Sequence, residues 1–249
     1  MLSIIIPTLN EEKYLPIFLR QIKKQPFDDY EIIIADANSD DETVEIAKSF
    51  GCKIVGGGIP AKGRNEGAKI AQGDILLFMD ADNLFLPDNF FTDILGEFKE
   101  RDLDAAYFPI SLDGNIVDKI ACWGYNLWAK ITQDFLPHAS NSILAKKSIH
   151  QKIGGFDETI MLAEDHEYVR EVGKCGRFGY IEIEPVLTSA RRTERDGSVK
   201  TYYKYLLAGA YMLIVGPIRT DIFKYRFYNQ KLISGVKQFI KNNNFKKYG

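Results

Sequence analysis

The sequence predicts an α/β fold with a Rossmann-like, mostly parallel central sheet and helices on both faces. Three observations lead there. Apolar runs and amphipathic segments alternate as strand, helix, strand, helix, strand, helix, strand from Leu2 to Met79, the order that builds a parallel sheet through crossover helices. The strand-like runs LSIII, EIIIA and ILLFM are continuous rather than alternating, which suits strands buried on both faces. Each run also stops abruptly at polar residues, and such sheets bind ligands outside the carboxyl ends of their strands.

The elements follow in order. Leu2–Ile6 is the first strand, followed by Pro7, Thr8, Leu9 and Asn10. Asn10 is a good N-cap for a helix with Glu11 and Glu12 in its first turn. Tyr14, Leu15, Phe18, Leu19 and Ile22 give that helix one apolar face, and Pro26 ends it. Glu31–Ala35 is the second strand, stopping at Asp36. Ser39 and Glu42 have capping-box spacing for a helix to about Phe50, closed by Gly51. Lys53–Val55 is a short third strand and Gly56–Gly58 a turn. A helix through Arg64 and Ala68 to Ala71 leads to Gly73 and the fourth strand, Ile75–Met79.

Beyond Asn83 the pattern is mixed. Pro87 to about Glu100 is an amphipathic helix, Ala105–Ile110 a strand, and Ile116–Phe135 a helix carrying Trp123, Tyr125 and Trp128. Helical spacing favours those aromatics as core over a ligand platform. Ser142–Ala145 is a short strand, and Gly154, Gly155 and Phe156 form a turn. A helix runs from about Ala163 to Lys174. Gly179–Glu184 and Val186–Ser189 are strands, and Arg191–Lys200 is a polar loop.

The fourth strand ends in Asp80, Ala81 and Asp82. Alternation directs the two carboxylates to the same side, where they repel one another. A solvated turn is one reading. A hard divalent cation between the carboxylates and a phosphate is the other. There is no GxGxxG after the first strand and no GxxxxGK[ST], so ordinary dinucleotide and P-loop readings lack support.

The 249 residues, 45% hydrophobic and 27% charged, suit a soluble α/β domain with an appendage. Met1–Ile6 has no basic leader, so a secretory signal is not expected. Cys52, Cys122 and Cys175 lack metal spacing and suit a reducing, cytoplasmic setting. Nothing marks nucleic acid as a partner. The net charge of −2 hides an asymmetry: Arg219 to Gly249 has eight Lys or Arg and one Asp, net +7, leaving −9 on residues 1–218. Tyr205–Ile218 before it has no charge. This combination suits either a packed C-terminal helix or an interfacial element on the cytoplasmic face of an anionic membrane. The expected division is one α/β domain over 1–200 and a basic, partly apolar helical extension over 201–249.

SIIIPTLNEE, ADANSDDET and GRNEGAKIAQGDILLFMDADN, followed by GGFDE and AEDHEYVREVGKCG, resemble the family two inverting nucleotide-sugar glycosyltransferases with the GT-A fold. The match covers roughly residues 2–190, with the segments in the family's order. The resemblance implies a nucleotide half over about 1–110 and an acceptor half over about 111–200. It also implies a UDP- or GDP-sugar donor, Mn²⁺ or Mg²⁺, and a glycan or lipid-linked acceptor. Pro7, Thr8, Asn10 and Glu11 would then line the nucleotide pocket, and Asp36 would accept hydrogen bonds from the nucleoside. Lys62, Gly63 and Arg64 would lie beside the nucleotide. Asp80, with Ala81, would hold ribose or metal, and Asp82 the metal on the diphosphate. Asp165 would be the base that takes the acceptor proton, with Glu164 beside it at a helix start. Each has a plainer alternative: a turn aspartate for Asp36, a solvated helix residue for Arg64, helix-start decoration for Glu164 and Asp165.

The Q-x-x-R-W signature of processive synthases is missing, and TSARRTERDG stands near its place. That implies transfer of single sugars, with Arg191, Arg192 and Arg195 on a flexible loop over the diphosphate. A non-catalytic nucleotide-sugar or glycan-binding protein on the same fold is the competing reading.

Overall fold

The computed structural model describes residues 1–140, 142–220 and 222. Its first half runs β1 (Leu2–Thr8), α1 (Leu15–Lys24), β2 (Tyr30–Asp36), α2 (Thr43–Ser49), β3 (Lys53–Gly56), α3 (Pro60–Ile70), β4 (Ile75–Met79), β5 (Asn83–Phe85) and α4 (Phe90–Glu100). The second half runs β6 (Ala105–Tyr107), β7 (Ile110–Asp113), α5 (Ile116–Thr132), β8 (Ser142–Lys146), α6 (Lys147–Lys152), α7 (Glu164–Cys175), β9 (Phe178–Tyr180), β10 (Val186–Ser189), α8 (Arg191–Asp196) and α9 (Ser198–Ile214).

The main sheet has the order β3-β2-β1-β4-β8-β6-β9. All its pairings are parallel except those of β8 with β4 and β6. A small sheet, β5-β10-β7, lies beside it. From β1 the chain steps to β2 and β3, then returns to place β4 on the other side of β1. That reversal opens a crevice at the carboxyl ends of β1 and β4, the preferred ligand position in open α/β sheets. Thr8 to Glu11 and Asp80 to Asp82 both stand at those ends.

The continuous apolar strands are buried on both faces, as predicted. Ile4, Ile6, Leu77 and Met79 pack into one core with Phe18 and Phe90, while Ile5, Leu76 and Phe78 pack into the other with Tyr168 and Val169.

Several local expectations are corrected. Asn10 is not an N-cap. It is left-handed, with φ 56°, and its side chain accepts from the Asp40 N–H while its own N–H donates to Ser39. Helix α1 starts only at Leu15, with Pro16 in its first turn, where a missing N–H costs nothing. Ser39 does not cap α2, because Asp36 engages both its N–H and its hydroxyl; Asp41 accepts the Thr43 N–H instead. The strand expected over 105–110 breaks at Pro109, which cannot donate to a ladder, so β6 and β7 join different sheets. The strand expected over 179–184 is only the short β9. Residues 191–200 are not a loop, since α8 and the start of α9 occupy them. On α5, Trp123 and Trp128 are exposed rather than core, because Asp118, Cys122, Ala129 and Thr132 form the buried face.

Among the described residues no helix is long and apolar enough to cross a membrane. The basic tail expected beyond Arg219 lies almost wholly outside the described residues.

Candidate active site

Four segments converge on the crevice. The first follows β1. The Thr8 hydroxyl donates to Asp36 across the β1–β2 ladder at 2.9 Å, and Ser39 donates its N–H at 2.8 Å and its hydroxyl at 2.6 Å to the same carboxylate. Thr8 and Asp36 are buried, so Asp36 is a fixed acceptor at the crevice floor. Gly63 of α3 presses on Pro7 and Ala35, leaving little room for a larger side chain.

The second segment is Asp80 to Asn83. The Asn83 amide donates to the Asp80 carbonyl and accepts from Thr188, while Ser189 N–H donates to the Asp82 carbonyl. The small sheet therefore sets the shape of this turn. Ala81 is buried between the two aspartates.

The third is the start of α7, entered through Ala163 in the left-handed region at φ 62°. Glu164 is buried and accepts from Arg64. Asp165 accepts the His166 N–H at 2.9 Å. The fourth is α8, which brings in Arg191.

Two guanidinium groups tie these carboxylates together. Arg64, only 3% exposed, reaches Asp80 at 2.9 Å and Glu164 with its other terminal nitrogen. Its plane lies 5.3 Å from the Phe156 ring. Arg191 holds both Glu11 oxygens at 2.7 Å, lies 2.9 Å from Asp82, and rests 4.9 Å over the Tyr14 ring. Bidentate guanidinium pairing of this kind is also how arginine holds phosphates.

Negative charge remains crowded. Burial, with repulsion from Asp82 and Asp80, pushes Glu11 up to about 7 against the pull of Arg191. Asp80 is pushed up to about 6 by desolvation and by Asp82, Glu164 and Asp165, against Arg64. Its side chain is still 37% exposed, so repulsion weighs more than desolvation there. His138 and His166, with rings 5.1 Å apart, are each driven down to about 4, chiefly by burial. Both are neutral near pH 7.

Among the described residues no group of three or more His, Cys, Asp or Glu is arranged to cage a metal. Asp80 and Asp82 do supply hard oxygens amid surplus negative charge. Mg²⁺ and similar ions are commonly held by one or two carboxylates plus substrate phosphates. The pair therefore fits a divalent ion that binds together with a phosphate ligand, sharing or displacing the arginines.

Of the other expected residues, Lys62 is exposed on α3, two residues before Arg64. Arg192 donates to Tyr205 of α9, and Arg195 pairs with Asp196. Three contributors were not legible in sequence. Tyr14 belongs by spacing to an apolar helix face, yet it underlies Arg191. Asn65 accepts from Phe156 N–H and donates to the Phe156 carbonyl and Glu158, fastening the Gly154–Phe156 turn to α3. Phe156 in turn faces Arg64. A polar Asn inside a helix otherwise rich in small residues was the available signal.

The model of glycosyl transferase family 2 matches residues 3–138. An uncharacterized glycosyltransferase of Haemophilus influenzae is 26% identical over 219 residues, covering 81% of this chain and 71% of that protein. The poly(ribitol-phosphate) β-N-acetylglucosaminyltransferase TarS of Staphylococcus aureus is 34% identical over 91 residues, only 32% of this chain and 16% of that protein. The crystal structure of S. aureus TarS residues 1–349 with UDP-GlcNAc superposes with a TM-score of 0.65 at 18% identity, covering 96% of this chain and 80% of that one. The mannosyltransferase PcManGT of Pyrobaculum calidifontis, with GDP-Man and Mn²⁺, superposes with a TM-score of 0.61 at 15% identity, covering 98% and 81%.

Proposed function

The chain belongs to glycosyl transferase family 2 and has the GT-A fold; from that premise we propose that it transfers single sugars, with inversion, from a nucleoside-diphosphate sugar to an acceptor hydroxyl or phosphate. The acceptor is a glycan or a lipid-linked molecule. UDP-GlcNAc and GDP-Man in the two superposed structures support a UDP- or GDP-sugar donor.

One observation carries this reading. Arg64 bridges Asp80, at the end of the strand that carries the donor-side aspartates, to Glu164, which opens the helix bearing Asp165. That bridge supports a single site taking donor and acceptor together.

In this reading Asp36, oriented by Thr8 and Ser39, takes hydrogen bonds from the nucleoside. Asp82 and Asp80 would hold Mn²⁺ or Mg²⁺, which as a Lewis acid supplies charge stabilisation to a departing diphosphate. Arg191 is close enough to that position to hold a phosphate oxygen in exchange for a carboxylate. Asp165 takes the acceptor proton as the acceptor oxygen bonds to the anomeric carbon. The bond from that carbon to the diphosphate breaks, and its electron pair leaves with the nucleoside diphosphate. A single displacement of this kind inverts the anomeric centre. The absence of Q-x-x-R-W supports a non-processive enzyme.

The test is release of UDP or GDP from a panel of nucleotide sugars in the presence of Mn²⁺ or Mg²⁺. Slow release from at least one donor is expected. Donor binding without release, with any acceptor tried, would favour a non-catalytic binding protein instead.

A further inference from the structure

Helices α5 and α9 each carry a second apolar stripe, on the side away from the core. On α5, Ile116, Ile120, Trp123, Leu127 and Ile131 recur at helical spacing and are 41–69% exposed. On α9, Val199, Tyr203, Leu206 and Leu213 do the same at 60–75% exposure. Both helices bury their opposite faces as usual, through Cys122 and Ala129 on α5 and through Ala208 and Met212 on α9. An exposed apolar stripe on a helix whose opposite face already packs against the protein implies a partner for that stripe.

The two helices are joined at their starts. Asn115, the N-cap of α5, donates to Ser198 at the start of α9 at 2.8 Å, and the Tyr202 hydroxyl of α9 donates to Asp118 of α5 at 2.9 Å. Charge then selects the partner. Asp118, the one acid on the two helices, is buried in those bonds. The remaining charges are Lys119, Lys130, Lys200 and Lys204; Lys130 pairs with Glu182, and Lys200 and Lys204 face Asp196 at the end of α8. The chain beyond adds a net +7 from Arg219 to Gly249. A second copy of this face would set lysines against lysines. An anionic lipid surface would meet them with phosphates and accept the apolar chains beneath, with Trp and Tyr at headgroup depth.

We propose that α5 and α9 together form a docking face for an anionic lipid bilayer, lying in the headgroup region without crossing it. The same helix α5 carries Tyr125 on its inner side, 6.2 Å from the His166 ring beside Asp165, so the docked face and the candidate base share an element.

The chain has two tryptophans, Trp123 and Trp128, and both are on α5. Trp123 lies on the stripe, so a change in emission on adding lipid reports this face, with Trp128, 6.2 Å from the His138 ring, as background. The full chain is mixed with vesicles of phosphatidylcholine alone or with about a third phosphatidylglycerol. The expected result is co-flotation with the anionic vesicles, a blue shift of emission, and quenching by lipids brominated on the acyl chain. Leu206→Glu keeps both tryptophans, and with Trp123→Glu it should lower vesicle partition about tenfold or more, with an unchanged thermal midpoint because both side chains are exposed. Vesicle binding is read without turnover, so it stands or falls separately from the reaction. Full binding by the double variant would overturn the proposal, because the basic tail would then suffice. So would equal binding to neutral vesicles, or unchanged emission on adding lipid. Emission already blue and shielded from acrylamide in free protein would overturn it in favour of coverage by residues 223–249. A dimer dissolved by Trp123→Glu would overturn it in favour of a second copy.

Discussion

The Arg191 side chain lies 2.9 Å from the Asp82 carboxylate while its two terminal nitrogens hold Glu11. The chain thus rests its own cation on the carboxylate assigned to a metal. Arg191→Ala leaves Glu11, with a side chain only 10% exposed, beside Asp82 without compensation. Breaking a buried pair costs about 3–5 kcal/mol, and the 38% exposure of Arg191 places this loss below that range. A lower thermal midpoint in metal-free buffer is expected, with part of the loss recovered by Mn²⁺. An unchanged midpoint would show that the pair contributes nothing.

Gly67 and Gly96 make a paired test of helix packing. A Cβ on Gly67 of α3 would overlap the Ile5 side chain of β1, whereas one on Gly96 of α4 meets nothing within 4 Å. Overpacking costs about 1–3 kcal/mol, against about 1 kcal/mol gained in helix propensity. Gly67→Ala should therefore lower the thermal midpoint and Gly96→Ala raise it. Shifts of the same sign in both would contradict the close α3–β1 contact.

Stability should fall on acidification, and Glu11 should soften that fall. Glu11, at about 7, and Asp80, at about 6, hold their protons more tightly when folded. Their contribution is present at low pH and is lost as pH rises through those values. His138, His150 and His166, each at about 4, are held neutral by burial. Their contribution is present above the ordinary imidazole value and is lost as pH falls toward 4. Three groups against two make the window from about 6.5 down to about 4.5 one of net loss. In Glu11→Gln the thermal midpoint should fall more steeply across that window than in the parent. Parallel curves would contradict the raised value for Glu11.

Much of this was legible because it is local. Continuous apolar runs place β1, β2 and β4, and the polar residues that stop them, Thr8, Asp36 and Asp80, then fall at one end of the sheet. Residue type alone misplaced Asn10 and Ser39, because the same side chains serve caps and turns. The order of α8 was hidden because its anchors, Glu11 and Asp82, are remote in sequence. Trp123 and Trp128 show the limit of periodicity, since helical spacing defines a stripe without saying whether protein covers it.

Asp165 carries the chemistry of the proposed reaction. Asp165→Asn keeps the shape of the side chain and can still accept the His166 N–H, but it cannot take the acceptor proton. Transfer should fall about 10²-fold or more, mainly in kcat, with donor affinity retained. Near-normal turnover would move the base to Glu164 or His166. Lost donor binding would make Asp165 structural.

Calorimetric titration of UDP and GDP, with and without Mn²⁺, probes the proposed metal-dependent diphosphate site at Asp82. One nucleotide should bind the parent protein about tenfold or more tightly with Mn²⁺. Asp82→Asn, still folded, should lose that dependence. Equal affinity with and without metal, or metal dependence that survives in Asp82→Asn, would contradict it.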